Sequence, residues 1–598
     1  MAESSYFLLA ATFLPLLSSP VSYILAKKVG VTATTWFSFG ILAISTGLVF
    51  IPAMTLTSGQ SVYVESYPWS QFGNFGLRLD GLSLPFALII YILCTVLALY
   101  SKPYMIHKIM EDANSHAGGG GGGGGEQHSG GLSNRRISGG IGDHGGSGTY
   151  YSDSSKMEVG SQVSAVTDTK KYLNSQMGLY FALYLAFSMG MFGTVLATNL
   201  IQFYVFFELM LVPSFFLIAF YGYGARRRIA LMFFFWTHVG AVVLLLALLS
   251  MGFFAGGFDF DTIRANASQI PVQWMSIIVF ALVVGLGVKL AAFILHIWLP
   301  YAHAEAPTPV SALLSPAMIG IGAYGLLRLW LELLTGSYAE YSLYINLWGL
   351  ATMIYGGAMA LMQDDIKRVL AYSSISQMGY ILFGLGSESV LGITGATMMY
   401  ISHGLGKAIL FMMAGSIILQ TGTRSMSKLG GLAGKMPYTA VITMIGALTI
   451  IGIPPTSGFM AEWILFNGVL QTGVNHWDSL RVAAFGIGIL ATVLSSAYIL
   501  WMYKRVFFGK ISEEHIHVRD SSKYITVTMA VLAAITLIIG VIPDLFLNPI
   551  IGYFQGIFSD TSEILPIPKA GDEIIDTNIN DNGASMVGKI AIASKGTN

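Results

Sequence analysis

Long apolar runs alternate with short polar connections along most of this chain. A helix needs about 20 apolar residues to cross the hydrocarbon core of a bilayer. Runs near that length fall at about 6–26, 32–54, 82–100, 178–197, 200–221, 230–254, 273–295, 306–330, 343–362, 371–386, 391–419, 439–466, 484–508 and 523–547. The expected fold class is all-α: a polytopic membrane protein with about fourteen transmembrane helices. The first run lacks a basic leader and a small-residue cleavage site, and is read as a retained helix.

The basic residues test that count. Connections after odd-numbered spans hold Lys27 and Lys28, Lys102 and Lys108 with Arg135, Arg136, Lys156, Lys170 and Lys171, then Arg226–Arg228, Lys367 and Arg368, Arg424, Lys428 and Lys435, and Lys504, Arg505, Lys510, Arg519 and Lys523. The connection between spans 7 and 8 has none. After even-numbered spans, up to the last helix, stand only Arg78, Arg264 and Arg481, with Arg328 at a helix end. By the positive-inside rule the odd connections face the cytoplasm or matrix, and both termini face the other side.

One stretch interrupts the alternation. Residues 111–175 contain the run GGGGGGGG followed by Ser, Asn, Asp and more Gly. Such a segment buries too little apolar surface to order itself, so a flexible inserted loop is expected. Its His116, His128 and His144 read as part of a solvated linker, with a metal site as the alternative. No Lys-Ser/Thr follows the glycines, so this is not a phosphate loop. The tail at 560–598 is polar and is expected on the outer surface.

Composition agrees with the pattern. The 598 residues are 54% hydrophobic and only 10% charged, against about 25% charged in soluble domains. Net charge is zero, so nothing points to nucleic acid; the expected surroundings are the lipid bilayer. Cys94 is the one cysteine, which excludes an internal disulfide and a cysteine-ligated iron–sulfur cluster.

Four ionisable residues stand inside these runs: Glu208 in LIQFYVFFELMLVPSFFL, Lys289 in VVGLGVKLAAFIL, Lys407 in SHGLGKAILFMM and Glu462 in SGFMAEWILF. A charge at the centre of a membrane helix costs from about 3 to well above 10 kcal/mol, so such residues face a wet interior and handle ions or protons. Two acids and two bases suggest a proton relay. Glu208 is the candidate partner of Lys289, because a carboxylate that approaches or withdraws changes a lysine's proton affinity. The alternatives are packing by a hydrogen-bonded carboxyl for Glu208 and snorkelling for Lys289. His403 and Lys407 are four apart and share a helix face. Glu462 follows IGIPPTSGF, where Pro454, Pro455 and Gly458 break the helix, and broken helices at membrane depth line ion pathways. His238, Arg328, Glu332 and the set Asp364, Asp365, Lys367 and Arg368 carry less signal, the last reading as a solvated turn. His296, His303 and Glu305 lie around WLPYAHAEAPTP at an expected membrane edge, where they either feed protons inward or cap helices.

VKLAAFILHIWLPYAHAEAPTPVSALL, AYGLLR, QDDIKRVLAYSSISQMGY, SHGLGKAILF and GIPPTSGFMAEW occur in this order. Together they resemble the antiporter-like membrane subunits of respiratory complex I, a proton-conducting membrane transporter family, from about residue 175 to 510. With a glutamate in the twelfth span, the resemblance is to the chain M type (chain 4 of NADH-quinone oxidoreductase). It implies spans 4–8 (176–335) and 9–13 (340–510) as inverted repeats, flanked by spans 1–3 (1–110) and a last helix (520–550), with spans 7 and 12 discontinuous. It implies that Glu208 modulates Lys289, that His403 and Lys407 connect the two halves, and that Glu462 releases the proton outside. It implies no cofactor in this chain; quinone, NADH, flavin and iron–sulfur clusters belong to partner subunits. The implied partners are antiporter-like chains L and N and small helical subunits. The implied activity is that of a translocase subunit in an NADH:quinone oxidoreductase, and the implied location a prokaryotic cell membrane or, alternatively, the mitochondrial inner membrane. The alternatives are a multisubunit sodium/proton antiporter, the membrane module of a hydrogenase or of a deazaflavin- or ferredoxin-linked dehydrogenase, and an inactive spacer. Two departures stand out. The family usually has a lysine four residues before the Tyr of AYGLLR, where this chain has Gly320. Prolines usually follow the span-7 lysine, where this chain has Ala291, Ala292, Phe293 and Ile294, so a break there is expected to come from Gly285 or Gly287 or to be absent.

Overall fold

The computed structural model describes residues 6–57, 61–69, 73–117 and 154–559. Its helices are α1 (Phe7–Lys28), α2 (Val31–Thr57), α3 (Ser83–Ala117), α4 (Ser154–Leu196), α5 (Leu200–Tyr221), α6 (Arg226–Ala255), α7 (Phe260–Asn266), α8 (Val272–Leu290), α9 (Trp298–Glu305), α10 (Thr308–Glu332), α11 (Tyr338–Leu361), α12 (Ile366–Leu385), α13 (Val390–Thr421), α14 (Pro437–Ile451), α15 (Ser457–Asn475), α16 (Ser479–Phe507), α17 (Lys523–Val541) and α18 (Asp544–Ser559). Eleven of them are long and apolar enough to cross a membrane. The other three expected spans coincide with α11, α12 and the pair α14–α15. Short side chains start several helices by accepting from free backbone N–H groups. Asn199 does so for α5, Asp365 for α12 and Asp478 for α16.

Three features depart from the sequence reading. A hairpin, β1 (Val62–Pro68) with β2 (Asn74–Asp80), joins α2 to α3 in antiparallel register from Val62–Asp80 to Pro68–Asn74. The expected loop at 111–175 is shorter, because α3 runs to Ala117 and α4 begins at Ser154. Both helices continue there beyond the apolar runs, and the glycine run, His128 and His144 lie outside the described residues. The helix α18 follows the last span and buries Phe546, Ile550, Phe554 and Phe558 at four-residue spacing. The tail at 560–598 lies outside the described residues.

The series α4, α5, α6, α8–α9, α10 and the series α11, α12, α13, α14–α15, α16 each hold five spans with the fourth one broken. Five being odd, equivalent helices of the two series run in opposite directions. Helix α10 and most of α13 are completely buried, whereas α6, α8 and α16 turn Phe253, Phe280 and Leu490 outward, as lipid-facing helices do.

The break in the seventh span does not come from Gly285 or Gly287. Those glycines admit close neighbours instead: a Cβ on Gly285 would lie 2.8 Å from Gly240 O, and one on Gly287 2.7 Å from the Trp348 indole. The chain leaves the helix through Ala291 and Ile294, whose φ values are 59° and 78°. Non-glycine residues hold this strained region only where surroundings over-determine it. Here three indoles do so. Trp298 Nε1 donates to Val288 O (2.8 Å), Trp348 Nε1 to Phe293 O (3.1 Å) and Trp236 Nε1 to Leu295 O (3.0 Å). The freed carbonyls are thereby satisfied without continuing the helix, as a non-helical turn at membrane depth requires. The second break ends at Gly452 (φ 76°) and restarts at Ser457.

Helices α11 and α12 touch through glycine. A Cβ on Gly379 would lie 2.8 Å from Gly349 O, and one on Gly349 2.8 Å from Gly379 O. Gly379→Leu must push the helices apart at a cost of about 1–3 kcal/mol or more. Its expected effect is less assembled protein and a lower thermal midpoint in detergent. Gly486, with nothing within 4 Å of its Cβ position, should tolerate Ala in the same assay.

Candidate functional site

Lys289 is the second-last residue of α8, directly before the break that separates α8 from α9. Its side chain is buried, and Nζ sits 4.7 Å from the centroid of the Phe207 ring without a hydrogen-bond partner. The last turn's free carbonyls favour a cation at such a terminus. Glu208, next to Phe207 on α5, is close enough to act on Lys289 electrostatically. It is not ion-paired to it: Glu208 Oε2 lies 3.2 Å from His238 Nδ1. His238, the weaker sequence signal, is thus the direct neighbour of Glu208.

A second group forms around α13. Lys407 donates to Leu370 O (3.2 Å) and to the Ser373 hydroxyl on α12. His403 and His303 are buried, and none of their four ring nitrogens has a hydrogen-bond partner. His303 packs 5.1 Å from the Phe411 ring, one turn past Lys407, and lies within electrostatic reach of both Lys407 and His403.

His296, His303 and Glu305 do not share one environment: His296 lies in the break itself, and His303 and Glu305 lie on the resumed helix α9. His303 points into the core. His296 Nε2 meets Tyr355 OH at 3.0 Å. Glu305 ends α9 beside Arg424 (3.6 Å), which also pairs with Asp365 (2.6 Å). Lys367 is likewise no solvated turn residue. It is fully buried, and its Nζ donates to Ala304 O (3.3 Å) and to Ala306 O. Arg424 Nη1 adds a 2.6 Å bond to Ala304 O. Two cations from the second series therefore cap the C-terminus of α9 in the first. Asp364 and Arg368 do face solvent.

The third group surrounds the second break. Glu462, on α15, is buried, its carboxylate packs against Gly452, and Oε1 has no partner. Tyr380 and Tyr498 lie within its electrostatic reach and share Ser495 Oγ, at 3.1 and 3.2 Å. Ser373, Gln377 and Tyr380 are four and three residues apart, hence on one face of α12. A polar stripe thus runs from Lys407 toward Glu462. Its signal stood in the sequence as polar positions at helical spacing within AYSSISQMGY.

Far from these groups, toward the outer end of α10, Arg328 is fully buried. It donates to both Asp80 oxygens (2.9 and 2.8 Å), to Glu332 Oε2 (2.6 Å), and to the hydroxyls of Tyr324 (3.0 Å) and Tyr553 (2.6 Å). Arg78 joins Asp80 at 2.8 Å, and Arg264 joins Glu332. Burial alone would raise the Asp80 carboxyl, but Arg328 and Arg78 outweigh it and hold that group well below the usual carboxylate range. This network ties β2, α7, α10 and α18 together.

Two broken helices at equivalent places, each with a buried ionisable side chain beside the break, define an ion-translocating membrane protein of the antiporter-like class. Residues 197–495 match the family described as NADH:quinone oxidoreductase/Mrp antiporter, TM, and the chain belongs to that family. NADH-quinone oxidoreductase subunit M of Rickettsia prowazekii is 35% identical over 380 residues, covering 63% of this chain and 75% of that one. F(420)H(2) dehydrogenase subunit M of Methanosarcina mazei is 36% identical over 390 residues, covering 64% and 77%. In fold, the chain is similar to one in respiratory complex I from Thermus thermophilus (TM-score 0.71, 21% identity, 92% of this chain and 99% of that one). It is also similar to one in the Mrp complex from Dietzia sp. (TM-score 0.73, 19% identity, 94% and 99%).

Removing one partner from a buried ion network costs about 3–5 kcal/mol. Arg328→Met should therefore strongly lower the thermal midpoint and the amount of protein in the membrane, and Arg328→Lys, lacking the bidentate fork, should not restore it. The half-exposed pair Arg505–Asp364 (2.7 Å) should contribute about 1 kcal/mol or less when Arg505 is changed to Ala.

Proposed function

We propose that this chain is the M-type proton-translocating subunit of a complex I-like enzyme in a prokaryotic cell membrane, with NADH as donor and quinone as acceptor. NADH, flavin, iron–sulfur clusters and quinone are handled by partner subunits. Antiporter-like chains of the L and N type and small helical subunits are its membrane partners. The chain itself moves protons. The observation that carries this reading is the placement of Lys289 and Glu462 at the two breaks, buried and unpartnered, with the polar groups of α12 and α13 leading from the centre toward Glu462. Buried polar atoms in native proteins are bonded to protein or to water, so the unpartnered atoms of His303, His403 and Glu462 mark where a hydrated route runs.

Glu208 is the switch. With its carboxylate on His238, Lys289 is unpaired. A carboxylate brought to about 4 Å from an ammonium gains about 4 kcal/mol at an effective dielectric constant near 20. That is several times thermal energy, enough to decide whether Lys289 keeps its proton. A charge change in a neighbouring subunit that draws Glu208 from His238 toward Lys289 loads the lysine. Its return releases the proton toward His403 and Lys407, along Ser373, Gln377 and Tyr380, to Glu462 and the outer face. The electron donor is set by partner subunits, and relatives with NADH and with F(420)H(2) in their names match about equally well.

Lys289→Met in the intact complex tests the scheme. Redox-driven proton uptake into sealed vesicles should fall at least tenfold while the complex still assembles. Unchanged pumping without Lys289 would refute it, as it would if the chain were an inactive spacer. Sodium–proton exchange in vesicles without any electron donor would instead identify a stand-alone antiporter.

A further inference from the structure

Twelve tyrosines are buried among the described residues, and only Tyr400 has a hydroxyl without a hydrogen-bond partner. Others in the same interior reach a backbone carbonyl, as Tyr91, Tyr100, Tyr184, Tyr324 and Tyr338 do, or a neighbouring hydroxyl, as Tyr180 and Tyr380 do. A buried polar group left unpaired costs about 1–3 kcal/mol. A position that served packing alone would be filled at lower cost by Phe, since the ring already stacks on Phe86 (centroids 4.1 Å apart). The hydroxyl therefore needs an explanation that the ring does not supply.

Its surroundings give one. The Tyr400 ring lies directly over Gly320 of α10. The ring carbon that bears the hydroxyl is 3.3 Å from where a Cβ of Gly320 would stand, and other ring atoms are closer still. Any side chain at 320 would evict the ring. Two residues on, and so on the opposite face of α10, a Cβ on Gly322 would lie 2.7 Å from Leu286 O and from Leu290 N, the backbone flanking Lys289. Between the lysine-bearing end of α8 and Tyr400 stands a helix with no side chain at either contact. On α13, Tyr400 is three residues before His403 and seven before Lys407, so all three lie on one stripe. Gly404, between them, is closely approached by the Ile89 side chain, 2.9 Å from where its Cβ would stand. Tyr400 thus stands with the unpartnered His403 on the stripe that leads to the lysine holding Ser373.

We infer that the Tyr400 hydroxyl, on the ring that fills the space at Gly320, is a proton-relay group joining the Lys289 half of the chain to the His403–Lys407 pair. This rests on the proton-translocating reading above and names the group that carries the proton between its two halves. A hydroxyl suits the step because it accepts and donates at the same oxygen. A proton arriving through water from the Lys289 side binds the oxygen, and the original O–H proton leaves to water bonded to His403. One O–H bond forms and one breaks, the tyrosine stays neutral, and rotation about the Cζ–O bond resets it.

The experiment compares three forms of the intact complex in sealed vesicles: Lys289→Met, Tyr400→Phe, and the double variant Tyr400→Ala with Gly320→Lys. Tyr400→Phe keeps the ring and its stacking, and should lower redox-driven proton translocation about tenfold or more, with the content of assembled complex unchanged. The double variant puts a proton-carrying group from α10 into the volume the ring vacates, and should recover much of the rate. Normal pumping by Tyr400→Phe, with pumping lost in Lys289→Met, overturns the inference and leaves the function standing. Normal pumping in both single variants overturns the function itself. Loss in Tyr400→Phe that the double variant does not restore, the complex being intact, assigns the hydroxyl a role other than carrying the proton and also overturns the inference.

Discussion

The structure depends on satisfying backbone carbonyls where a helix stops inside the membrane. Breaking the seventh span at Ala291 frees acceptors that hydrocarbon cannot hydrogen-bond. The indoles of Trp298, Trp348 and Trp236 reach Val288 O, Phe293 O and Leu295 O from three directions. Each brings one donor on a large apolar body, so the turn is satisfied and dry on its outer side at once. Lys289 then sits at a helix end and not in a helix middle. The terminal carbonyl dipoles lower the cost of its charge, while the nearest acid, Glu208, is kept on His238. Lys289 is thus a buried lysine at a helix end whose Nζ has no hydrogen-bond partner.

The same broken span connects the two halves of the molecule. Its resumed helix α9 belongs to the first series by sequence, yet its C-terminal carbonyls are held by Lys367 of α12 and by Arg424 after α13. His303, on that short helix, faces Lys407 and His403 of the second series. The short helix α9 thus bridges the Lys289 break and the polar centre of the other repeat. The outer network of Asp80, Arg328 and Glu332 plays the complementary part, anchoring the far end of α10, on which Gly320 and Gly322 are presented to neighbours on both sides.

Much of this was legible in the residues. The lengths of the apolar runs and the alternation of basic connections fixed where helices lie, since desolvation acts on each segment separately. The second break was written locally in Pro454, Pro455 and Gly458. The first was not, because its cause is three tryptophans 10 to about 60 residues away whose indoles converge only in the fold. For the same reason the direct contact of Glu208 with His238 was not legible: spacing says nothing of which face of α6 meets α5. Lys367 read as a solvated residue because its neighbours in sequence are charged, while its neighbours in space are the carbonyls of α9.

Sequence alone determined a membrane-spanning, all-helical chain with ionisable residues in costly places, because burial of apolar surface and the expense of charge in oil are local and nearly additive. Tertiary structure decided which of those residues meet, which hydroxyl is left without a partner, and where the seventh helix stops. Those outcomes turn on distances of 2 to 4 Å between segments far apart in the chain, and no short-range rule carries that information.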